Sequence, residues 1–124
     1  MAIRSTLRPI AGSGLMFATN GAIFAALLPW YPQLADRLGL GGLQFGLVVA
    51  CFALGAIVSS ALPAPLISRF GARRVAVLGT VVVALAVASA GWSVTGVMLA
   101  ACILAVGFSD AIVDVAQNVA GLRV

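Results

Sequence analysis

Residues 64–74 read APLISRFGARR, and how this stretch is understood decides the fold. Arg69, Arg73 and Arg74 stand here between two long apolar runs, residues 43–67 and 75–92. In a soluble domain this would be one charged loop among many. Here it is nearly alone, because only 8% of the 124 residues are charged and 63% are apolar. A soluble domain carries roughly a quarter charged residues, since its surface must face water. With a mean hydropathy of +1.20, this chain has too few polar groups to cover a globule of its own size. The composition predicts an integral membrane protein.

Outward from that stretch, the apolar runs fall into four. A bilayer-spanning helix needs about 20 mostly apolar residues, and residues 10–34, 43–67, 75–92 and 97–119 each approach or exceed that length. The breaks between them are ADRLGLGG (35–42), SRFGARR (68–74) and WSVTG (92–96), the last short enough for a helical hairpin. The fold class predicted is all-α, with four transmembrane helices. Arg4 and Arg8 before the first run resemble the charged head of a signal peptide. The run that follows is longer than a cleavable core and ends in no small-x-small site, so a retained first span is expected.

The arginines orient the bundle. Arg4 and Arg8 precede the first span, Arg69, Arg73 and Arg74 separate the second and third, and Arg123 follows the fourth. Alternating spans put all of these on one side and leave only Arg37, beside Asp36, on the other. The positive-inside rule makes the arginine-rich side cytoplasmic and places both termini there, in a bacterial inner membrane. The basic balance does not point to nucleic acid, because the cations punctuate apolar runs instead of forming a water-facing patch.

Several chemistries are excluded early. The chain has no His, no metal cluster and no Gly-rich phosphate loop, and Ser109 beside Asp110 is only a sequence neighbour, since adjacent helical positions do not face each other; no enzyme reading survives and no cofactor is implied. Cys51 and Cys102 lie deep in apolar runs without metal-ligand spacing and read as small buried side chains. Close helix packing is expected where small residues recur every four positions, at Gly55, Ser59 and Pro63 and again at Gly46 and Ala50. The alternating Ala84, Ala86, Ala88 and Ala90 suit the same purpose, and Pro29 and Pro32 should loosen the end of the first span.

The second break also carries a family pattern. It resembles the signature loop of the major facilitator superfamily of secondary transporters, G-x-x-x-D-R-x-G-R-R, often with one extra residue before the paired basics. Arg69, Gly71, Arg73 and Arg74 match, while Ala64 stands for the leading glycine and Ser68 for the acid. In the fourth span, GFSDAIVDVAQN is similar to the G-x-x-x-x-x-x-D-V-A-x-N pattern of uncharacterised bacterial inner-membrane members grouped with sugar permeases. Gly107, Asp114, Val115, Ala116 and Asn118 carry that likeness. The resemblance implies a twelve-span protein of two six-span halves, moving a small-molecule substrate by alternating access. The chain then corresponds to the first four spans, part of the N-terminal half, with a C-terminal half as its missing partner. The family loop also implies a cytoplasmic latch between the halves, whose acidic member Ser68 replaces.

Two of the three acidic residues lie in the fourth span. Asp110, Asp114 and Asn118 are spaced by four and share one helix face. At 1.5 Å per residue, Asp110 is about 3 Å from mid-span and Asp114 about 9 Å toward the cytoplasm. An ionised Asp at a helix centre costs about 2.5–3.5 kcal/mol. The span's apolar side chains return about 0.3–0.6 kcal/mol each, which roughly balances two carboxylates. They cannot face lipid. They line a substrate or proton path, or bond Arg69 or Arg73, or are protonated and hydrogen-bonded between helices. The path reading is favoured for Asp110, and Asp114 is open between path and loop partner. Two carboxyls one turn apart disfavour joint ionisation, which suits proton coupling. Thr19 and Asn20, mid-way along the first span, are either helix glue or path residues.

Two other functions fit the length. One is a self-standing four-span transporter that dimerises like the small multidrug resistance family, which uses a carboxylate in its first span; here that span has none. The other is a non-transporting membrane scaffold, in which the polar stripe is purely structural.

Overall fold

The computed structural model describes residues 2–122, and side chains from residue 11 onward except those of Ser13 and Phe24. Arg123 and the side chains of Arg4 and Arg8 lie outside the described residues. The helices are α1 (Ala2–Leu27), α2 (Tyr31–Leu38), α3 (Gly42–Ser59), α4 (Pro63–Phe70), α5 (Ala72–Gly91) and α6 (Gly96–Leu122). Four segments are long and apolar enough to cross a membrane: Gly14–Leu38, Gly42–Ser59, Ala72–Gly91 and Gly96–Leu122.

The first span differs from expectation at its end. A 3-10 turn at Leu28–Trp30 joins α1 to α2. Pro29 and Pro32 lack the N–H groups that Ala25 and Leu28 carbonyls would accept, so the helix tightens but does not stop. It runs on through Asp36 and Arg37, placed in a loop by their charge, and halts at Gly39 with φ +66°. There the Gly39 and Leu40 amides donate to the carbonyls of Asp36 and Ala35, at 3.2 and 2.9 Å, a Schellman closure.

The second apolar run is not one helix. It breaks at residues 60–62, where Ser60 and Leu62 amides make i→i−3 bonds to Ile57 and Ser59. Pro63 cannot donate to Ser59, and the Ser60 hydroxyl takes the Ile57 carbonyl at 2.7 Å, so α3 ends and α4 restarts with proline in its first turn. The arginine stretch, in turn, is hardly a loop. Ser68, Arg69 and Phe70 finish α4, Ala72, Arg73 and Arg74 begin α5, and Gly71 at φ +86° is the whole joint. That φ is open to glycine and strained for other residues. The third break is the short hairpin expected, with the Thr95 hydroxyl capping α6 by accepting the Met98 amide at 3.1 Å.

Helix α6 is the centre of the bundle. It packs along α3 on one side and α5 on another, and touches α1 less extensively. The core is made of side chains such as Val83, Val87, Leu99, Ile103, Val106 and Val113, all buried. The closest approach is between α3 and α6. A Cβ on Gly55 would overlap the Leu104 carbonyl, and one on Gly107 would overlap that of Phe52. Of the small residues expected to pack, Gly55, Ser59 and Pro63 are buried, but Gly46 and Ala50 are exposed. Of the alternating alanines, only Ala90 is fully buried. Leu43, Leu85, Trp92 and Val97 are among many large apolar side chains that stand outward. Water would not tolerate that surface, whereas a bilayer or further protein does.

Candidate functional site

The polar groups that meet inside the bundle come from α1 and α6. Asn20, buried in α1, donates through Nδ2 to Oδ1 of Asp110 in α6 at 2.7 Å. One turn earlier on α1, the Met16 carbonyl accepts Nε2 of Gln117 at 3.3 Å. Gln117 is 1% exposed. Each amide also has an oxygen, Asn20 Oδ1 and Gln117 Oε1, that is buried without a hydrogen-bond partner. Burying an unsatisfied amide oxygen costs about 1–3 kcal/mol. The α1–α6 seam therefore has two spare buried acceptors, one of them on the amide that holds Asp110.

The remaining stripe residues do not join that seam. Asp110 is half-buried, whereas Asp114 and Asn118 are exposed. Asn118 Nδ2 turns back to its own helix, bonding the Asp114 carbonyl at 2.9 Å. The Asp114 carboxylate forms no hydrogen bond or ion pair among the described residues. The alternative in which Asp114 and Asn118 bond Arg69 or Arg73 is thus not what the structure holds. The spacing put all three on one face, and the helix rotation brings only Asp110 to α1. Thr19 likewise bonds its own helix, at the Leu15 carbonyl, 2.8 Å away.

Two contacts went unread in the sequence. Gln117 follows Asp110 by seven positions, the same helix face, and that spacing was the available signal. Arg37, weighed only as a topology charge, clasps the far end of the α5–α6 hairpin. Its guanidinium donates to the carbonyls of Gly91 at 3.1 Å and Ser93 at 2.8 Å. A cation on the last carbonyls of a helix satisfies orphan acceptors and the negative end of its dipole.

On the opposite membrane side, Arg69 lies over the Phe70 ring, 5.4 Å from its centroid. Arg73 and Arg74 are exposed in the first turn of α5. A groove of about 580 Å³ is away from the carboxylates, between α1–α2 and α5 at Trp30, Gln33, Arg37 and Trp92. Among the described residues no three His, Cys, Asp or Glu side chains come together to hold a metal.

Comparison with known proteins agrees with the architecture. The family model described as Major Facilitator Superfamily matches residues 11–120. An uncharacterized MFS-type transporter of Yersinia pestis is 30% identical over 105 residues, covering 85% of this chain and 27% of that relative. The chain thus spans about a quarter of the length of the curated relative it matches. No solved structure matches. Four membrane-length helices without a strand among the described residues, and a family match over nearly the whole chain, make this an integral membrane protein with a partial major facilitator fold. The chain belongs to the major facilitator superfamily.

Proposed function

We propose that these residues are the first four spans of a twelve-span secondary transporter, forming part of its N-terminal half. The protein moves a small solute by alternating access, and Asp110 is the proton-linked group of its path. The observation that carries this reading is the Asn20–Asp110 hydrogen bond, which ties a mid-membrane carboxyl of α6 to α1 beside a spare amide oxygen. An ionisable residue at that depth is functional by default, because lipid would expel it. Asn20 reads either protonation state. Its Nδ2 donates to a carboxylate, and after a flip its Oδ1 accepts from a carboxylic acid. Asp114 and Asn118 continue the polar face toward the cytoplasm, where a second half would close over them. The arginine asymmetry supports cytoplasmic termini and an inner-membrane location.

Two tests bear on this. An open reading frame beyond the Val124 codon that encodes eight more spans is expected, and an immediate stop codon would favour the dimeric four-span alternative. In the full-length protein, Asp110→Asn should flatten the pH dependence of solute uptake into membrane vesicles while the protein stays inserted. Uptake with an unchanged pH profile would leave Asp110 as helix glue only.

A further inference from the structure

A second feature lies on the other face of α6, away from Asn20. An apolar groove of about 340 Å³ runs between α4, α5 and α6, with Leu66, Phe70, Leu78, Val82, Phe108 and Ile112 in its wall. Phe70, Leu78 and Val82 are 49%, 65% and 49% exposed, so the groove is open along its length. Three arginines gather at one end. Arg69 lies over the Phe70 ring of the groove wall. Arg74 is one helical turn before Leu78 and two before Val82, on the same stripe of α5. Arg73 is its neighbour.

The electrostatics at that end are unbalanced. None of the three arginines forms an ion pair among the described residues. Helix α5 begins with no acidic residue in its first turn and no side-chain cap. A helix N-terminus carries a partial positive charge and favours an anion; here it meets two guanidinium groups instead. Ser68, where the family loop has an acid, supplies no compensation.

We propose that the groove is a binding site for an anionic phospholipid. Its phosphate sits among Arg69, Arg73, Arg74 and the free amides of the α5 N-terminus, and one acyl chain lies along Leu78 and Val82. The charge calls for an anion, and the apolar floor running about 10 Å from Val75 to Val82 calls for a hydrocarbon chain attached to it. A phospholipid joins the two. A neutral helix would fill the floor but leave three cations and a helix N-terminus unanswered.

The test uses the full-length protein in nanodiscs of phosphatidylglycerol and phosphatidylcholine, extracted into detergent and weighed by native mass spectrometry. The wild-type protein should retain phosphatidylglycerol in preference to phosphatidylcholine. Neutralising an arginine should weaken retention about fivefold, and the triple variant Arg69→Gln/Arg73→Gln/Arg74→Gln on the order of a hundredfold. Val82→Trp keeps every charge but fills the groove, and it should also lose the lipid. Circular dichroism checks that both variants keep wild-type helicity, and both alter exposed positions. Equal retention of the two lipids overturns the proposal, as does phosphatidylglycerol held as tightly by Val82→Trp as by the wild type. Displacement of the lipid by millimolar inorganic phosphate would show a plain anion site and overturn it too. So would a wild-type dimer that Val82→Trp splits without lipid loss, which would give the groove to a second copy.

Discussion

The α3–α6 crossing can be tested with one substitution placed twice. Gly46→Ala and Gly55→Ala both add a methyl group to α3, nine residues apart. Each gains helix propensity, about 0.8–1.0 kcal/mol for alanine over glycine. At Gly46 the new Cβ has nothing within 4 Å, so that gain stands by itself. At Gly55 it would overlap the Leu104 carbonyl oxygen and stand 2.8 Å from the Phe108 nitrogen and 3.1 Å from the Leu104 carbonyl carbon. Those are backbone atoms, which cannot rotate aside. The two helices must part by several tenths of an ångström to about 1 Å, and a gap of that size forfeits a quarter to a half of each pairwise dispersion well along the seam. Overpacking of this kind costs about 1–3 kcal/mol. Since the propensity gain is common to both variants, the difference between them isolates the steric cost, about 1–3 kcal/mol with Gly55→Ala the less stable. Unfolding in mixed detergent and sodium dodecyl sulfate micelles, followed by circular dichroism, measures it. Matching midpoints for the two variants would refute the close approach. Adding Gly107→Ala to Gly55→Ala should cost less than the sum of the singles, because the helices have already moved apart.

The other contacts make their own predictions. A double-mutant cycle with Asn20→Leu and Asp110→Leu should show a coupling of about 0.6–1.7 kcal/mol, the range for hydrogen bonds between membrane helices, and zero coupling would separate α1 from α6 at this point. Arg37→Ala should release the α5 C-terminus at a cost of about 0.5–1.5 kcal/mol. Faster amide hydrogen exchange over residues 89–94, with α3 unaffected, is the expected signature.

Much of this molecule was legible before any coordinates. The shortage of charge and the four apolar runs dictate membrane insertion, because hydrophobic transfer depends on composition and length and hardly on arrangement. The presence of an arginine-bearing break near residues 68–74, though not its contraction to a joint at Gly71, was readable for a similar reason, as were the hairpin at residues 92–96 and the shared face of Asp110, Asp114 and Asn118. Each is a local property of spacing. The break at residues 60–62 was missed, since Ser59, Ser60 and Pro63 interrupt a run whose hydropathy hardly falls. The end of the first span was misplaced because charge at Asp36 and Arg37 was taken as the stop, when the stop is Gly39 in the left-handed conformation.

What the tertiary structure alone decided is which polar groups meet. Periodicity places three residues on one face of α6 but says nothing of how that face is turned toward α1. The turn is set by the contact of Gly55 and Gly107 with the backbone of the opposite helix, and by Val113 packed against Gly79 of α5. With α6 held between α3 and α5 in that rotation, Asp110 and Gln117 reach α1, and Asp114 and Asn118 do not. Composition sent the chain into the membrane; the depth to which helices interlock, a matter of shape between segments far apart in sequence, chose the carboxylate that Asn20 holds.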